Sequence, residues 1–172
     1  MTEFTLVLGG AASGKSLFAE RLIINSGLRR HYIATARADD DEMQRKIAAH
    51  RDRRGSEWKV TESPLDPGAV IDASEPDEIL LLDCATLWLS NVMLADRNVE
   101  DEIESLLSAT ARRMSPLVIV SNETGLGIVP EHRLGRVFRE AQGRLNQRLA
   151  EAAGTAVLVV AGLPMVLKGA LE

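Results

Sequence analysis

Residues 4–25 read FTLVLGGAASGKSLFAERLIIN, and this segment determines the architecture of the chain. The apolar run over residues 4–8 predicts a buried strand. The apolar positions of residues 16–25 recur at helical spacing, and Gly27 is placed to end that helix. Between them, residues 9–16 fit the pattern G-x-x-x-x-G-K-[ST]. A strand, a glycine-rich loop and a helix in this order are typical of a loop whose backbone N–H groups bind phosphate.

This phosphate loop consists of Gly9, Gly10, Ala11, Ala12, Ser13, Gly14, Lys15 and Ser16. In such loops the lysine reaches the β- and γ-phosphates and the hydroxyl ligates Mg²⁺. We therefore predict Lys15 as a catalytic residue, Ser16 as a metal ligand and Mg²⁺ as the cofactor. A second strand, apolar and ending in an acid, is expected as well, and residues 79–83 (ILLLD) fit it. Asp83 either holds Mg²⁺ or caps a helix that starts near Thr86, and the phosphate loop favours the metal.

Strands alternate with helices along the rest of the chain. The predicted strands cover residues 4–8, 31–34, 79–83, 117–121 and 156–161, and the predicted helices cover residues 16–25, 100–114 and 131–153. Apolar strands without polar alternation indicate a mostly parallel sheet covered on both faces. We expect one domain over residues 1–172, with the three-layer α/β fold of phosphate-loop NTPases and a RecA-like sheet. Residues 63–76 are expected to form a loop with one helical turn, and little room remains for an element after Pro164.

Composition excludes several classes of protein. The chain has 172 residues, with 20 Lys and Arg against 25 Asp and Glu, and a net charge of −5 argues against a non-specific nucleic-acid binder. The one cysteine, Cys84, excludes a disulfide within the chain and argues against a cysteine-based zinc site. The longest apolar run, residues 156–163, is too short to cross a bilayer, and the N-terminus lacks the basic segment of a signal peptide. We therefore expect a cytoplasmic protein without nucleic-acid or membrane partners.

A charged segment leads to His50. Acids fill residues 39–42 and bases follow His50, an order that suits a helix dipole. Met43, Ile47 and His50 are spaced so that they share one helix face. On spacing alone His50 is either a packed histidine or a nucleophile, and the packed histidine is the commoner case.

Taken together, these motifs resemble the bifunctional adenosylcobinamide kinase/adenosylcobinamide-phosphate guanylyltransferase family of cobalamin biosynthesis. The resemblance covers nearly the whole chain. The matching segments are residues 9–16, 32–35 (YIAT), 40–43 (DDEM) leading to His50, Trp58, Glu62, 122–130 (NETGLGIVP) and 143–147 (GRLNQ). The segment 122–130 is the most specific, because a generic phosphate-loop kinase has no reason to contain it.

The resemblance implies two reactions. A terminal phosphate passes from ATP or GTP to the aminopropanol hydroxyl of adenosylcobinamide, and GMP then passes from GTP to that phosphate through a GMP-histidine intermediate. His50 occupies the position of the nucleophile, and Ala49 stands where some relatives carry a second histidine. Imidazole suits this role because it is largely neutral near pH 7. The resemblance also implies a homotrimer with active sites near the subunit interfaces.

The resemblance further implies contacts to the guanine nucleotide. The residues concerned are Ala34, Thr35, Ala36, Arg51, Asp52, Arg53, Arg54, Glu62, Asp83 and Cys84. The arginines would neutralise the α-phosphate as His50 attacks. Two other functions stay open on the residues alone: a phosphate-loop kinase of another small molecule, with a structural His50, and a nucleotide-binding regulatory module.

Three further features allow two interpretations each. Asn122 and Glu123 follow a predicted strand and either contact a ligand or form a polar turn. The last long helix carries Arg133, Arg136, Arg139, Arg144 and Arg148. We interpret these arginines as a solvated face with local glutamate partners, the alternative being a subunit contact or the wall of an anionic site. Trp58 and Trp88 are interpreted as packing residues rather than platforms for the corrin ring.

Overall fold

A computed structural model describes residues 4–37 and 55–171. The strands are β1 (Phe4–Gly9), β2 (Arg29–Ala34), β3 (Trp58–Glu62), β4 (Glu78–Asp83), β5 (Leu117–Asn122), β6 (Thr155–Val160) and β7 (Leu163–Lys168). The helices are α1 (Lys15–Asn25), α2 (Pro67–Asp72), α3 (Ala85–Leu94), α4 (Val99–Arg112) and α5 (Arg133–Ala152). The predictions for His50, Arg51, Asp52, Arg53 and Arg54 lie outside the described residues.

The strands form one seven-stranded sheet in the order β3-β2-β4-β5-β1-β6-β7. All neighbours pair in parallel except β6 and β7, which are antiparallel. Every residue of β1 is buried, because this strand lies between β5 and β6 and is covered on both faces. The prediction of a mostly parallel α/β sheet is confirmed.

Helices cover the two faces of the sheet and form two separate cores. On one face Ala19 and Ile23 of α1 pack with Val7 of β1 and with Val118 and Val120 of β5. On the other face α3, α4 and α5 pack against the intervening residues of the same strands. Each large aliphatic side chain buried in this way stabilises the fold by roughly 1.5–3 kcal/mol. Successive side chains of a strand point to opposite faces of the sheet, so alternate residues face either α1 or the side covered by α3, α4 and α5.

The last strand corrects one expectation. A further strand, β7, contains Pro164 and continues to Lys168. It pairs with β6 through the two-residue turn Ala161–Gly162, and both turn residues have positive φ (51° and 79°). Two positive φ values in a two-residue hairpin loop match the right-handed twist of the flanking strands. Pro164 is tolerated because β7 is an edge strand. The predicted helical turn within residues 63–76 is confirmed as α2, and β3 is a strand that the sequence did not indicate.

Candidate active site

The phosphate loop connects the end of β1 to the start of α1. Gly14 precedes the helix with a φ of +92°, which favours glycine, and Ala12 has a φ of +54°. The Ser13 N–H donates to the Gly10 carbonyl (3.3 Å) and tightens the turn. The first N–H groups of α1 have no partner within the helix, so this end of the helix is suited to bind an anion.

The loop rests on the β6–β7 turn. The Gly162 N–H donates to the Ser13 carbonyl over 2.8 Å. A Cβ atom at Gly14 would lie 3.1 Å from the Gly162 Cα, and one at Gly9 would lie 2.3 Å from the Ser13 Oγ and 2.8 Å from the Val159 carbonyl oxygen. Glycine is therefore required at Gly9 by close contact, and at Gly14 by its left-handed conformation as well as by close contact.

Lys15 and Ser16 stand in the first turn of α1. The Lys15 Nζ donates to the Gly10 carbonyl at 3.1 Å, so the half-buried lysine folds back over the loop. Ser16 is half-buried beside it. The Ser13 Oγ is buried and has no hydrogen-bond partner among the described residues. These groups surround the space that a nucleotide phosphate would occupy.

Asp83 lies at the end of β4 and projects from the same sheet face as α1, because Leu81, two residues before it, belongs to the core on that face. The Tyr32 hydroxyl donates to the Asp83 Oδ2 (3.2 Å). The residue preceding α3 is Cys84, and no side chain caps that helix. Cys84, and not Asp83, therefore occupies the N-cap position of α3.

The oxygen ligands fit Mg²⁺. The hydroxyl of Ser16 and the carboxylate of Asp83 are hard donors of the kind that Mg²⁺ prefers, with substrate phosphates and water completing its shell. Within residues 4–37 and 55–171 no cluster of three or more His, Cys, Asp or Glu could hold a metal by itself.

The residues predicted around the guanine nucleotide meet at the carboxyl ends of β2, β3 and β4. Ala34 pairs with Glu62 on one side and with Asp83 on the other. The Thr35 hydroxyl accepts from the Cys84 N–H and donates to the Cys84 carbonyl, both over 2.8 Å. The turn after β2 is thereby fixed to the end of β4. Of the predicted set, Ala34, Thr35, Ala36, Glu62, Asp83 and Cys84 are brought together.

Two of these side chains face inward. Thr35 is fully buried, and its hydroxyl is used in the contact with Cys84. Burial and, to a lesser extent, the charge of Asp83 raise the pKa of the Cys84 thiol to about 12. The thiol is therefore neutral at physiological pH, and Cys84 shapes the site without reacting. Glu62 is exposed at the same edge.

A buried polar network lies behind the end of β5, and sequence reasoning missed most of it. The Ser121 Oγ donates to the Asn146 Oδ1 (2.7 Å), and the Gln142 Nε2 donates to both of these atoms (2.9 Å each). The Asn146 Nδ2 donates to the Asn122 carbonyl at 3.0 Å. This contact joins segments 122–130 and 143–147. The presence of both segments in the sequence was the signal that could have indicated the network.

The segment 123–130 begins against the phosphate loop. The Glu123 N–H donates to the Gly9 carbonyl at 3.0 Å, and the Glu123 carboxylate accepts from the Gly125 N–H at 2.5 Å. From α5, Arg139 donates to the Gly125 carbonyl and Arg136 to the Pro130 carbonyl. Of the two interpretations of Glu123, a ligand contact or a polar turn, these hydrogen bonds support the polar turn.

The other arginines of α5 contact a different helix. Arg144 pairs with Glu100 (3.4 Å) and Arg148 with Glu104 (2.7 Å), and both glutamates belong to α4. The expected glutamate partners exist, but they are not local to α5. These exposed ion pairs contribute at most about 1 kcal/mol each.

Both tryptophans are packing residues, as predicted. Trp58 is 7% exposed and meets Tyr32 edge to face, with ring centroids 6.3 Å apart. Trp88 is 1% exposed, and its indole N–H donates to the Leu65 carbonyl at 3.0 Å.

A buried ionic cluster lies away from the phosphate loop, where β4 begins. Glu78 accepts from Lys59 at 3.0 Å, and the His31 Nδ1 lies 3.3 Å from the second oxygen of Glu78. Burial, followed by the charge of Lys59, lowers the pKa of His31 although Glu78 opposes the shift. Burial alone would raise the pKa of Glu78, but its hydrogen bonds outweigh burial and lower it. With Thr61 at 2.8 Å on its other nitrogen, His31 is fully engaged.

Comparison with known proteins identifies relatives over almost the whole length. Residues 5–167 match the family described as cobinamide kinase / cobinamide phosphate guanyltransferase. The bifunctional adenosylcobalamin biosynthesis protein CobP of Pseudomonas aeruginosa is 47% identical over 167 residues, covering 95% of this chain and 96% of its own. The bifunctional adenosylcobalamin biosynthesis protein CobU of Salmonella typhimurium is 41% identical over 179 residues, covering 95% and 98%.

Solved structures confirm the fold. The RadB recombinase superposes with a TM-score of 0.55 at 14% identity, covering 91% of this chain and 73% of its own. An ATPase of a bacterial type III secretion system has a TM-score of 0.60 at 10% identity, covering 95% and 56%. These similarities show the predicted RecA-like α/β architecture and nothing of the substrate. No helix among the described residues is both long and apolar enough to span a membrane.

Proposed function

Since the chain belongs to the cobinamide kinase / cobinamide phosphate guanyltransferase family, we propose that it phosphorylates adenosylcobinamide with ATP or GTP and then transfers GMP to the product through His50. The observation that carries the kinase step is the phosphate loop, with Lys15 at the start of α1 and Asp83 on the same face of the sheet. Family membership also favours this function over a kinase of another small molecule and over a regulatory module.

In the kinase step, the loop N–H groups bind the phosphates and Lys15 exchanges the Gly10 carbonyl for the β- and γ-phosphate oxygens. Ser16 and Asp83 would hold Mg²⁺. When bound, Mg²⁺ neutralises charge that develops on the phosphates. The remaining work of the protein is to position the reactants and to stabilise that charge.

In the guanylyl step, the His50 imidazole attacks the α-phosphorus of GTP, the bond from that phosphorus to the bridging oxygen breaks, and pyrophosphate leaves. The phosphate of adenosylcobinamide phosphate then attacks the GMP-histidine, which gives adenosyl-GDP-cobinamide and restores the imidazole. Arg51, Arg53 and Arg54 follow His50 in the sequence and would neutralise the α-phosphate. His31 is a poorer candidate, because it is buried and engaged with Glu78.

The guanine nucleotide would lie along the carboxyl ends of β2, β3 and β4. The convergence of Ala34, Glu62 and Asp83 at that edge supports this placement. Asp52 completes the set by its position beside the arginines. Because the thiol of Cys84 and the hydroxyl of Thr35 face inward, we expect these two residues to contribute backbone groups and shape.

A homotrimer is part of the proposal. Leu163, Met165 and Leu167 share one face of β7 and are 72%, 57% and 55% exposed. An apolar edge strand of this kind is suited to contact another subunit.

The test uses GTP labelled at the α-phosphate. The wild-type protein should retain an acid-labile, base-stable label after denaturation, whereas His50→Ala should retain none and should still phosphorylate adenosylcobinamide. Lys15→Ala should reduce that phosphorylation by roughly 10²-fold or more, because it removes a charge that follows the moving phosphate.

The matched control is His132→Ala, since His132 is an exposed histidine at the start of α5. It should keep both the label and the kinase step. Covalent label on His50→Ala would place the nucleophile elsewhere, and near-normal phosphorylation by Lys15→Ala would remove the phosphate loop from the kinase mechanism.

A further inference from the structure

Asn122 has a fixed backbone and a side chain that makes no hydrogen bond within residues 4–37 and 55–171. Its N–H donates to the Thr86 Oγ1 at 2.7 Å, its carbonyl accepts from Asn146 at 3.0 Å, and the next N–H, of Glu123, donates to Gly9. Among the described residues the Asn122 Oδ1 is buried with no partner. A buried oxygen without a hydrogen-bond partner is unfavourable, and each such group calls for an explanation.

The position of Asn122 relates it to the phosphate loop. Gly9, the first residue of the loop, pairs with Asn122 in the sheet, and Asp83 pairs with Val120 on the opposite side of β5. Asn122 follows Val118 and Val120 in alternation, so it projects from the α1 face, where Asp83 also projects. Neighbouring strands are about 4.8 Å apart, so Asn122 stands between the loop and the proposed metal ligand.

The network behind Asn122 keeps it in this place. Gln142 is fully buried, and it fixes both Ser121 and Asn146 through its Nε2. The side-chain amide itself has only a broad, two-fold torsional preference. Because the amide makes no hydrogen bond within the described residues, a half-turn about its last bond exchanges the oxygen and the nitrogen without breaking one. The amide can therefore present its oxygen to a ligand.

We propose that Asn122 is a catalytic residue of the kinase step, whose amide oxygen accepts a hydrogen bond from the attacking hydroxyl and aims it at the terminal phosphate. This role rests on the proposed function. The hydroxyl oxygen bonds to the terminal phosphorus, and the bond from that phosphorus to the bridging oxygen breaks. The nucleoside diphosphate leaves with that electron pair, and the proton passes to a non-bridging oxygen of the transferred group. A neutral amide orients the hydroxyl and takes no proton.

The attacking hydroxyl is a better partner for the Asn122 amide oxygen than a nucleotide phosphate is. The Asn122 amide can present an acceptor oxygen, and a hydroxyl has a hydrogen to donate to it, whereas the phosphates of a nucleotide are acceptors near neutral pH. The loop N–H groups and Lys15 already supply donors to the phosphates. The Asn122 amide oxygen therefore adds a hydrogen-bond acceptor, which the loop N–H groups and Lys15 do not supply.

The experiment measures phosphorylation of adenosylcobinamide by GTP and, separately, the Kd for GTP, in wild type, Asn122→Ala and Asn122→Asp. For Asn122→Ala we expect kcat to fall roughly 10²-fold, a size common for positioned catalytic contacts, with the Kd for GTP within threefold of wild type. Asn122→Asp retains an acceptor oxygen, so its kcat should exceed that of Asn122→Ala.

The control is Asn25→Ala, an exposed asparagine at the far end of α1, which should leave kcat and Kd unchanged. Melting temperatures verify folding, and the comparison of Asn122→Asp with wild type carries the test if Asn122→Ala is unstable.

Three results would overturn the assignment: a kcat of Asn122→Ala within threefold of wild type, a loss confined to the Kd for GTP, or an Asn122→Asp variant slower than Asn122→Ala, which would indicate a phosphate contact. A wild-type protein that fails to phosphorylate adenosylcobinamide would instead refute the proposed function, and this role with it.

Discussion

His31 shows how a single buried residue makes stability depend on pH. Its ring lies between Glu78 and Thr61 and is 2% exposed. If its Nδ1–H donates to Glu78, its Nε2 accepts from the Thr61 hydroxyl, so the neutral ring satisfies both contacts. The pKa of His31 is lowered from 6.5, chiefly by burial.

Stability should therefore decrease as the pH falls below about 6.5, the ordinary pKa of histidine. In that range the unfolded chain binds a proton that the folded chain resists, so the free energy of unfolding falls until the pH passes the folded pKa. One proton corresponds to a slope of at most about 1.4 kcal/mol per pH unit. The pKa of Glu78 is also lowered, so its contribution is lost in a second, more acidic range.

The measurement is urea unfolding from pH 7.5 to pH 4, with His31→Gln as the comparison. The variant should lose the dependence that begins near the histidine pKa and retain the more acidic one. An unchanged slope between pH 6.5 and 5.5 would assign that dependence to another group.

At the scale of elements, the phosphate loop and the β6–β7 hairpin form one unit. Gly14 has a φ of +92° and its Cα hydrogen faces Gly162, where a Cβ would lie 3.1 Å from the Gly162 Cα. We expect Gly14→Ala to destabilise the fold by roughly 1–3 kcal/mol, through strain in the left-handed region. It should also weaken GTP binding, because the loop must shift.

A matched substitution in α5 should have the opposite sign. Gly143 lies inside the helix, with nothing within 4 Å of an added Cβ. Gly143→Ala should therefore stabilise the protein by up to about 1 kcal/mol through helix propensity. Urea unfolding of both variants checks the pair, and equal effects of the two substitutions would contradict this account.

The elements that the sequence predicted best are those with strong local patterns. β1, α1 and β4 have uninterrupted apolar runs or clear helical spacing, and their bounds agree with prediction to within one residue at each end. β7 was missed because its turn has Ala161 at a positive φ. Alanine rarely adopts this conformation, so its presence in the sequence does not indicate a turn. Pro164 also argued against a strand, and only its place at the sheet edge permits it.

At the scale of the whole molecule, the apolar face of β7 bears on assembly. Met165→Lys combined with Leu167→Lys should prevent formation of the proposed homotrimer while leaving the fold intact, because all of β7 is exposed in the single chain. Light scattering should show a mass near that of one chain, against three chains for wild type. Leu94→Lys, at a leucine 73% exposed on α3, is the control and should remain trimeric. A trimeric double variant would exclude this face as the contact.

The candidate site was predictable only where one segment of sequence carries it. The phosphate loop and Asp83 could be found because each follows a recognisable strand. Thr86, Gln142 and Asn146 come from two different helices and meet only through the packing of α3 and α5 against β5. Without the fold, nothing local distinguishes these polar residues from others on helices.

The central place of β1 also governs the order in which the protein can be made. The chain begins β1 at Phe4, but β5 and β6, the strands that flank it, start only at Leu117 and Thr155. During synthesis from the N-terminus, β1 and its loop emerge early. Both edges of this apolar strand then stay unpaired until the segments that form β5 and β6 have been synthesised. Pairings so distant along the chain slow folding. A nascent chain arrested before residue 155 would therefore carry the complete nucleotide motif and still lack the β6 edge and the Gly162 contact that support it.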